Sequence, residues 1–463
     1  MGSVRHGIRG ATARRSGGRA TGVLGAGLRR AGLRGTRLRR TGFGRTGFRR
    51  AGALLVVLGL GAGTAGCGTD TGSGTKVTLT VVAANYGDSV HKNSQGYWDR
   101  VALAFHAANP GVDVVAKVYP ADQVDAKVAA LVKQGKAPDI VQTGSYAQYA
   151  ADGLLYDAED LLSIRTQASF VPSLADAGKV GHEEYGLPFT ASTRLMFYNK
   201  TLFRRAGLTP PKTWQQLLVD ARVLKAQGVT YPIALPLGPQ EAEAETLLWL
   251  LAGDGGYTGD TGAYSLDSAA NVSTLQWLKS TLVAEGLTGP VAPAKLNLDK
   301  ALEAFTNGDA AMVDAPLSLM RQIADSADSV SYGTVPLPGR DGRAVPTMGT
   351  ADWILGFKQR GHRTQIGRFL DFLYRDKYVR EQATEYQLLP VTTSVSDAMR
   401  ANPDYKALWG GLDSLQNMRL YPLSETNWSE VATAIRRRIG AAVAPGGDPR
   451  TVLESIEKTA RGR

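Results

Sequence analysis

The sequence has little of what reactive sites are built from. One cysteine in 463 residues excludes a disulfide framework, a cysteine-ligated zinc site and an iron–sulfur cluster. The five histidines (His6, His91, His106, His182 and His362) are scattered, and neither a His-Glu-x-x-His nor a Gly-x-Ser-x-Gly stretch occurs. Lysine and acidic residues are missing altogether from Met1 to Gly66, where 14 arginines and 18 of the 54 glycines fall. The formal charge of +11 would by itself suggest a nucleic-acid or membrane-surface binder. Taking those 14 arginines from the 53 basic residues leaves 39 against 42 acidic groups over residues 67–463, a net charge of −3. The basic character belongs to the leading segment, and no nucleic-acid partner is expected. The remainder holds all seven tryptophans and all 17 tyrosines, and it is long enough for two domains with real cores.

Residues 1–50 form a Gly/Arg/Thr tract that cannot bury a core. Arg49-Arg50 then precede the apolar run 51–65, which falls short of the ~20 residues a membrane span needs. A charged stretch, a short apolar core and small residues make the layout of an export signal. The run ends in Thr64-Ala65-Gly66-Cys67, which resembles a bacterial lipobox with Thr64 where leucine is usual. That resemblance implies that Cys67 carries a lipid and anchors the chain to a membrane without spanning it. Gly68 to Thr75 reads as a flexible tether.

Beyond the tether the pattern alternates. Lys76 to Ala83 reads as a strand, Tyr97 to Ala108 as a helix, Val112 to Val118 as a strand, Val124 to Gln134 as a helix stopped by Gly135, and Asp139 to Gln142 as a strand. Such an order implies an α/β sheet with right-handed crossovers. Later, Thr213 with Gln216 makes a capping box before a stripe of Trp214, Leu217, Leu218, Ala221 and Leu224. Helices are expected near 241–252, 271–285 and 298–307, and a strand at 310–313. No internal repeat or long linker divides the chain.

Several stretches in this order resemble the extracellular solute-binding proteins of ABC importers, in the sugar-binding family that includes the maltodextrin-binding proteins. They are Phe105-His-Ala-Ala-Asn-Pro-Gly-Val, Gly135-Lys-Ala-Pro-Asp-Ile-Val, Asp152-Gly-Leu-Leu, Tyr185-Gly-Leu-Pro-Phe, Phe197-Tyr-Asn-Lys, Pro210-Pro-Lys-Thr-Trp, Ala304-Phe-Thr-Asn-Gly-Asp-Ala-Ala-Met, Tyr332-Gly-Thr-Val-Pro-Leu-Pro-Gly, Leu389-Pro-Val-Thr and Asn427-Trp428. The resemblance implies a two-lobed α/β periplasmic-binding-protein fold of type II, with the lobes joined by a hinge of crossing segments. Its crossings would fall at Tyr198–Lys200, Val335–Pro338 and near Tyr374. One lobe would then comprise 77–195 with 337–374 and the other 196–336 with 375–463, after an export signal over 1–66 and a tether over 67–76. It further implies a monomer that holds a carbohydrate, in the form of an oligosaccharide, between its lobes and passes it to a membrane permease, with no cofactor, no metal and no catalysis.

A sugar offers apolar C–H faces to aromatic rings and a rim of hydroxyls to fixed polar groups. Trp428 stands where the maltodextrin-binding proteins place a stacking tryptophan, although it would serve equally as a core residue. Trp353 and Asp352 lie at a strand start that borders the cleft in relatives; Asp352 is either a hydroxyl acceptor or a turn residue. Tyr86 and Asp88 follow the first strand, and Thr143 and Ser145 the third, at the strand ends where open α/β sheets bind ligands. Ser192 stands where the maltodextrin-binding proteins have a ligand-contacting glutamate. Glu245, with Glu241 and Glu243, either reaches the cleft or simply favours a helix N-terminus. Asp314 lies near a segment where the family's usual stacking tryptophan is replaced by Asp314-Ala-Pro. Trp98, Trp214 and Trp277 sit in helical stripes and read as core.

Two other readings stay open. One is an exported hydrolase with paired carboxylates. The other keeps the fold and changes the solute to a polyamine, a phosphate ester or a metal chelate.

Overall fold

The computed structural model describes residues 76–87, 93–326 and 330–462. Cys67, the export signal and Asp88 lie outside the described residues. The first strands are β1 (Val77–Asn85), β2 (Val112–Pro120) and β3 (Ile140–Thr143), separated by α1 (Ser94–Ala108) and α2 (Ala121–Lys133). Both β2 and β3 pair parallel to β1. Alternation then sends Val81, Ala83 and Ile140 to the face under α1, and Val82, Ala84 and Val141 to the face under α2. Both faces are covered, which is why these strands read as nearly continuous apolar runs.

Four more strands complete the part of the sheet that matters here. They are β4 (Leu187–Asn199), β5 (Met312–Pro316), β6 (Tyr332–Val335) and β7 (Gly349–Phe357), and the sheet runs β2-β1-β3-β7-β4-β5 with β6 also on β4. The 13-residue β4 changes partners along its length. Residues 187–193 pair with β7, while 194–198 pair with β5. The change falls at Thr193–Arg194, where two other chain segments run alongside. Thr193 Oγ1 donates to the Met348 carbonyl at 2.8 Å, Gly349 N to the Arg419 carbonyl at 2.8 Å, and Arg419 N to the Thr347 carbonyl at 2.8 Å.

The helices of the second half are α3 (Trp214–Ala226), α4 (Ala242–Ala252), α5 (Ala269–Leu278), α6 (Arg363–Leu373), α7 (Asp376–Tyr386), α8 (Trp428–Ala442) and α9 (Pro449–Ala460). Thr213 caps α3 by accepting from Gln216 N at 3.0 Å, and the Gln216 side chain turns back to Lys212 N at 3.0 Å. Trp214, Trp249 and Trp277 pack together there, with ring centroids 4.6–6.2 Å apart. Ile435, Ile439, Leu453 and Ile456 bring α8 and α9 into the same core. A different aromatic group holds α1 to α6 and α7. Phe105 meets Phe369 and Phe372 edge-on, Tyr97 donates to the Tyr378 carbonyl at 3.4 Å, and Arg100 pairs with Glu381 and Glu385 at 2.8 and 2.5 Å. The chain beyond Tyr374 thus stays with α1 through α7. No described helix is long and apolar enough to cross a membrane.

Candidate functional site

Helix α2, the C-terminal end of β3, the start of β7 and the start of α8 meet around a cavity of about 360 Å³. Its lining includes Asp125, Gly144, Ser145, Thr350, Asp352, Tyr421, Trp428 and Arg436. Ser145, Asp352 and Trp428 are therefore brought together from positions almost three hundred residues apart.

One wall is polar and tightly bonded. Asp125, on α2, accepts from Thr143 Oγ1 at 2.5 Å, Gly144 N at 3.2 Å and Ser145 Oγ at 3.4 Å. Thr143 is itself buried and serves as a brace. Asp352 Oδ2 accepts from Gln142 Nε2 at 3.1 Å and from the Tyr86 hydroxyl, which also takes a bond from Gln142 and lies 3.3 Å from Thr190 Oγ1. Burial raises the Asp352 carboxyl above the ordinary aspartate value; the bonds from Tyr86 and Gln142 oppose the shift, and Asp125 adds to it. Tyr86 is held well above the usual phenol range by burial and by the Asp352 charge, so it stays a donor. It orients Asp352 from behind.

The opposite wall is aromatic. Trp428, the first residue of α8, stacks on Tyr421 with ring centroids 5.1 Å apart and planes at 27°, and meets Tyr257 with centroids 5.5 Å apart and tilted planes. Arg436 lies two turns further along α8 and pairs with the buried Glu243 of α4.

The remaining expected site residues lie elsewhere. Trp353 follows Asp352 on β7 and so points to the other face of the sheet. Its ring is wholly buried, packs edge-on against Tyr146 at 5.4 Å, and is not among the cavity's lining residues. Ser192 is half-buried opposite Thr350 in the β4–β7 register and does not line the cavity. Glu245 and Asp314 are fully buried beside the strand change. Glu245 accepts from Trp249 Nε1 at 2.9 Å and from Arg194 Nη1 at 3.3 Å, while Arg194 also pairs with Glu241 at 2.6 Å. Neither oxygen of Asp314 has a donor partner among the described residues, because its neighbour is the Glu245 carboxylate. Burial pushes Asp314 up to about 7, against the pull of Arg194. Glu245 is also raised by burial, with Asp314 adding to the shift. Burial favours the neutral form of both carboxyls, and the assembly is a buried anchor for Arg194 rather than a lining of the cavity. Sequence reasoning did not single out Asp125, Thr350, Tyr421 or Arg436. Of these only Tyr421, an aromatic seven residues before Trp428, carried a local signal.

Among the described residues no group of His, Cys, Asp and Glu could hold a metal ion. The cavity offers hydrogen-bond acceptors, hydroxyls and ring faces, which suit a small polar ligand with an apolar face.

An α/β chain whose long strand β4 changes partners beside a polar cavity has the architecture of a solute-binding protein. Residues 89–380 match the family model described as bacterial extracellular solute-binding protein, and the chain belongs to that family. A Brucella abortus protein named only as a binding protein is 26% identical over 369 residues, covering 77% of this chain and 87% of its own. The sn-glycerol-3-phosphate-binding periplasmic protein of Escherichia coli is 28% identical over 331 residues, covering 66% of this chain and 74% of the relative. Among solved structures, the cyclic α-maltosyl-1,6-maltose binding protein of Arthrobacter globiformis superposes with a TM-score of 0.70 at 19% identity, covering 83% of this chain and 98% of that one. The fold is the two-lobed one of these proteins.

Proposed function

We propose that this chain is a lipid-anchored extracellular protein that captures a carbohydrate, an oligosaccharide, between its two lobes and delivers it to an ABC importer without catalysing a reaction. The observation that carries this reading is the cavity itself. Tyr421 and Trp428 line it with aromatic rings, and Ser145, Thr350 and Asp352 line it with hydroxyls and a carboxylate. A sugar needs those two surfaces together. The Arthrobacter globiformis protein, which binds a cyclic maltosyl-maltose, supports the assignment through its fold.

We take residues 77–193 with 349–417 as one lobe and 194–348 with 418–460 as the other. This moves the third crossing from near Tyr374 to Met418–Tyr421, because α7 packs on α1 and α8 packs on α4. Ligand bound between the lobes favours the closed form through its contacts to the second wall. The phosphate ester bound by the Escherichia coli relative is the second reading, since Arg436 brings one cation to the cavity.

The test is thermal unfolding against mono- and oligosaccharides, with sn-glycerol-3-phosphate and a polyamine as controls. A ligand at 100 times its Kd adds ~2.7 kcal/mol of stability. A shift with an oligosaccharide is expected, and one confined to a control would overturn the carbohydrate assignment. Anchoring is tested separately: Cys67→Ser should leave the membrane fraction, and retention there would refute lipidation at Cys67.

A further inference from the structure

Both carboxylates of the polar wall lack a cation. Among the described residues the Asp125 carboxylate takes bonds only from Thr143, Gly144 and Ser145, and that of Asp352 only from Tyr86 and Gln142; neither forms an ion pair there. Gly144 sits between them. A side-chain carbon built on Gly144 would lie 3.5 Å from Asp125 Oδ2 and 4.0 Å from Asp352 Oδ1, so both oxygens border one small space in the cavity. Asp352 Oδ1 accepts no bond among the described residues, and Asp125 Oδ2 takes one long bond. Both have lone pairs to offer. Among the described residues that line the cavity, Arg436 is the one cation, and it is already paired with Glu243. Among those residues the charge that a ligand meets is therefore negative.

We propose that Asp125 and Asp352 act as a charge filter, accepting hydroxyl groups of an uncharged solute across Gly144 and rejecting phosphate esters. This rests on the reading of the cavity as the binding site and adds to it which charge the solute carries. A hydroxyl hydrogen satisfies a carboxylate lone pair directly. A phosphate dianion brings acceptors where acceptors already stand, and it meets two like charges in a partly dry cleft. Arg436 does not offset this, since recruiting it would strip Glu243, 3% exposed, of its partner. Gly144 keeps the space between the two oxygens open.

The test titrates the Cys67→Ser chain with sn-glycerol-3-phosphate and, separately, with maltose and longer maltodextrins. The Asp125→Asn/Asp352→Asn variant keeps the side-chain oxygens that Thr143 and Tyr86 donate to, and should bind sn-glycerol-3-phosphate about tenfold more tightly than its parent, or better. Arg436→Gln should show no such gain. If the double variant does not fold, which its unfolding temperature reveals, Asp125→Asn alone should gain about threefold, its side chain being exposed on α2. Unchanged affinity for sn-glycerol-3-phosphate in the folded variant overturns the filter while leaving a sugar-binding parent as a carbohydrate receptor. A parent that binds sn-glycerol-3-phosphate and no sugar overturns both the filter and the carbohydrate reading.

Discussion

The cleft's two walls hold their shape by different means. Asp125 and Asp352 are fixed by directional bonds from Thr143, Gly144, Tyr86 and Gln142, whereas Trp428 is fixed by ring packing between Tyr421 and Tyr257. Polar groups held in this way select a ligand, because a hydroxyl missing from the ligand leaves an acceptor unsatisfied. Ring faces contribute affinity that is roughly proportional to buried area and indifferent to hydroxyl pattern. On this account affinity and selectivity reside on opposite lobes and can be damaged separately.

The largest effect should come from the aromatic wall. Trp428→Ala removes a ring only 8% exposed that packs against Tyr421 and Tyr257. Binding of the cognate sugar, followed by calorimetry, should weaken by about a hundredfold. Stability should also fall, by about 3–5 kcal/mol, since the same ring belongs to the core of its lobe. Undiminished affinity in this variant would mean the aromatic wall does not touch ligand.

A second variant probes the ground behind that wall. Burial pushes the Asp314 carboxyl up to about 7, well above its ordinary value. Its contribution to stability is therefore fully present below about pH 4 and is lost as the pH rises through about 7. Asp314→Asn supplies the same donor to Glu245 without a titration. Unfolding temperatures measured from pH 5 to pH 8 should fall less steeply in this variant than in the wild type. Parallel curves would show that the buried pair does not hold a proton.

The smallest effect on binding is expected for Trp353→Phe. Its neighbour Asp352 lines the cavity, but Trp353 points into the core beside Tyr146. Affinity should stay within about twofold while the unfolding temperature drops, as for a modest core truncation. A tenfold loss of affinity would place this ring against ligand after all.

Much of the fold was legible because its signals are local. Thr213 and Gln216 announce the start of α3, the β-branched alternation of 77–83 announces β1, and Gly135 and Gly228 take the positive φ that ends their helices. The site was legible in part. Strand ends point to Tyr86, Thr143 and Ser145, and the family resemblance points to Asp352 and Trp428. Asp352 and Trp353 are consecutive on β7, yet only Asp352 lines the cavity, and the β4–β7 register shifts between them, which no local sequence signal announces. Asp125 and Arg436 carried no local signal: each is a charged residue on a helix surface, and only the meeting of α2 with α8 across the cleft gives either a role. The course of the chain beyond Tyr374 was hidden for the same reason, since it depends on Arg100 meeting Glu381, 281 positions away.

The central claim is that a carbohydrate is held between these two walls. Residues 76–463 contain no cysteine, so spin labels can be placed at Gln148→Cys and Glu430→Cys, exposed positions on opposite sides of the cavity. The distance between them should be measured with and without a saturating oligosaccharide that shifts the unfolding temperature. A shorter, narrower distance distribution with sugar is the predicted result. An identical distribution at saturation would contradict capture between the lobes and place the sugar on one wall alone.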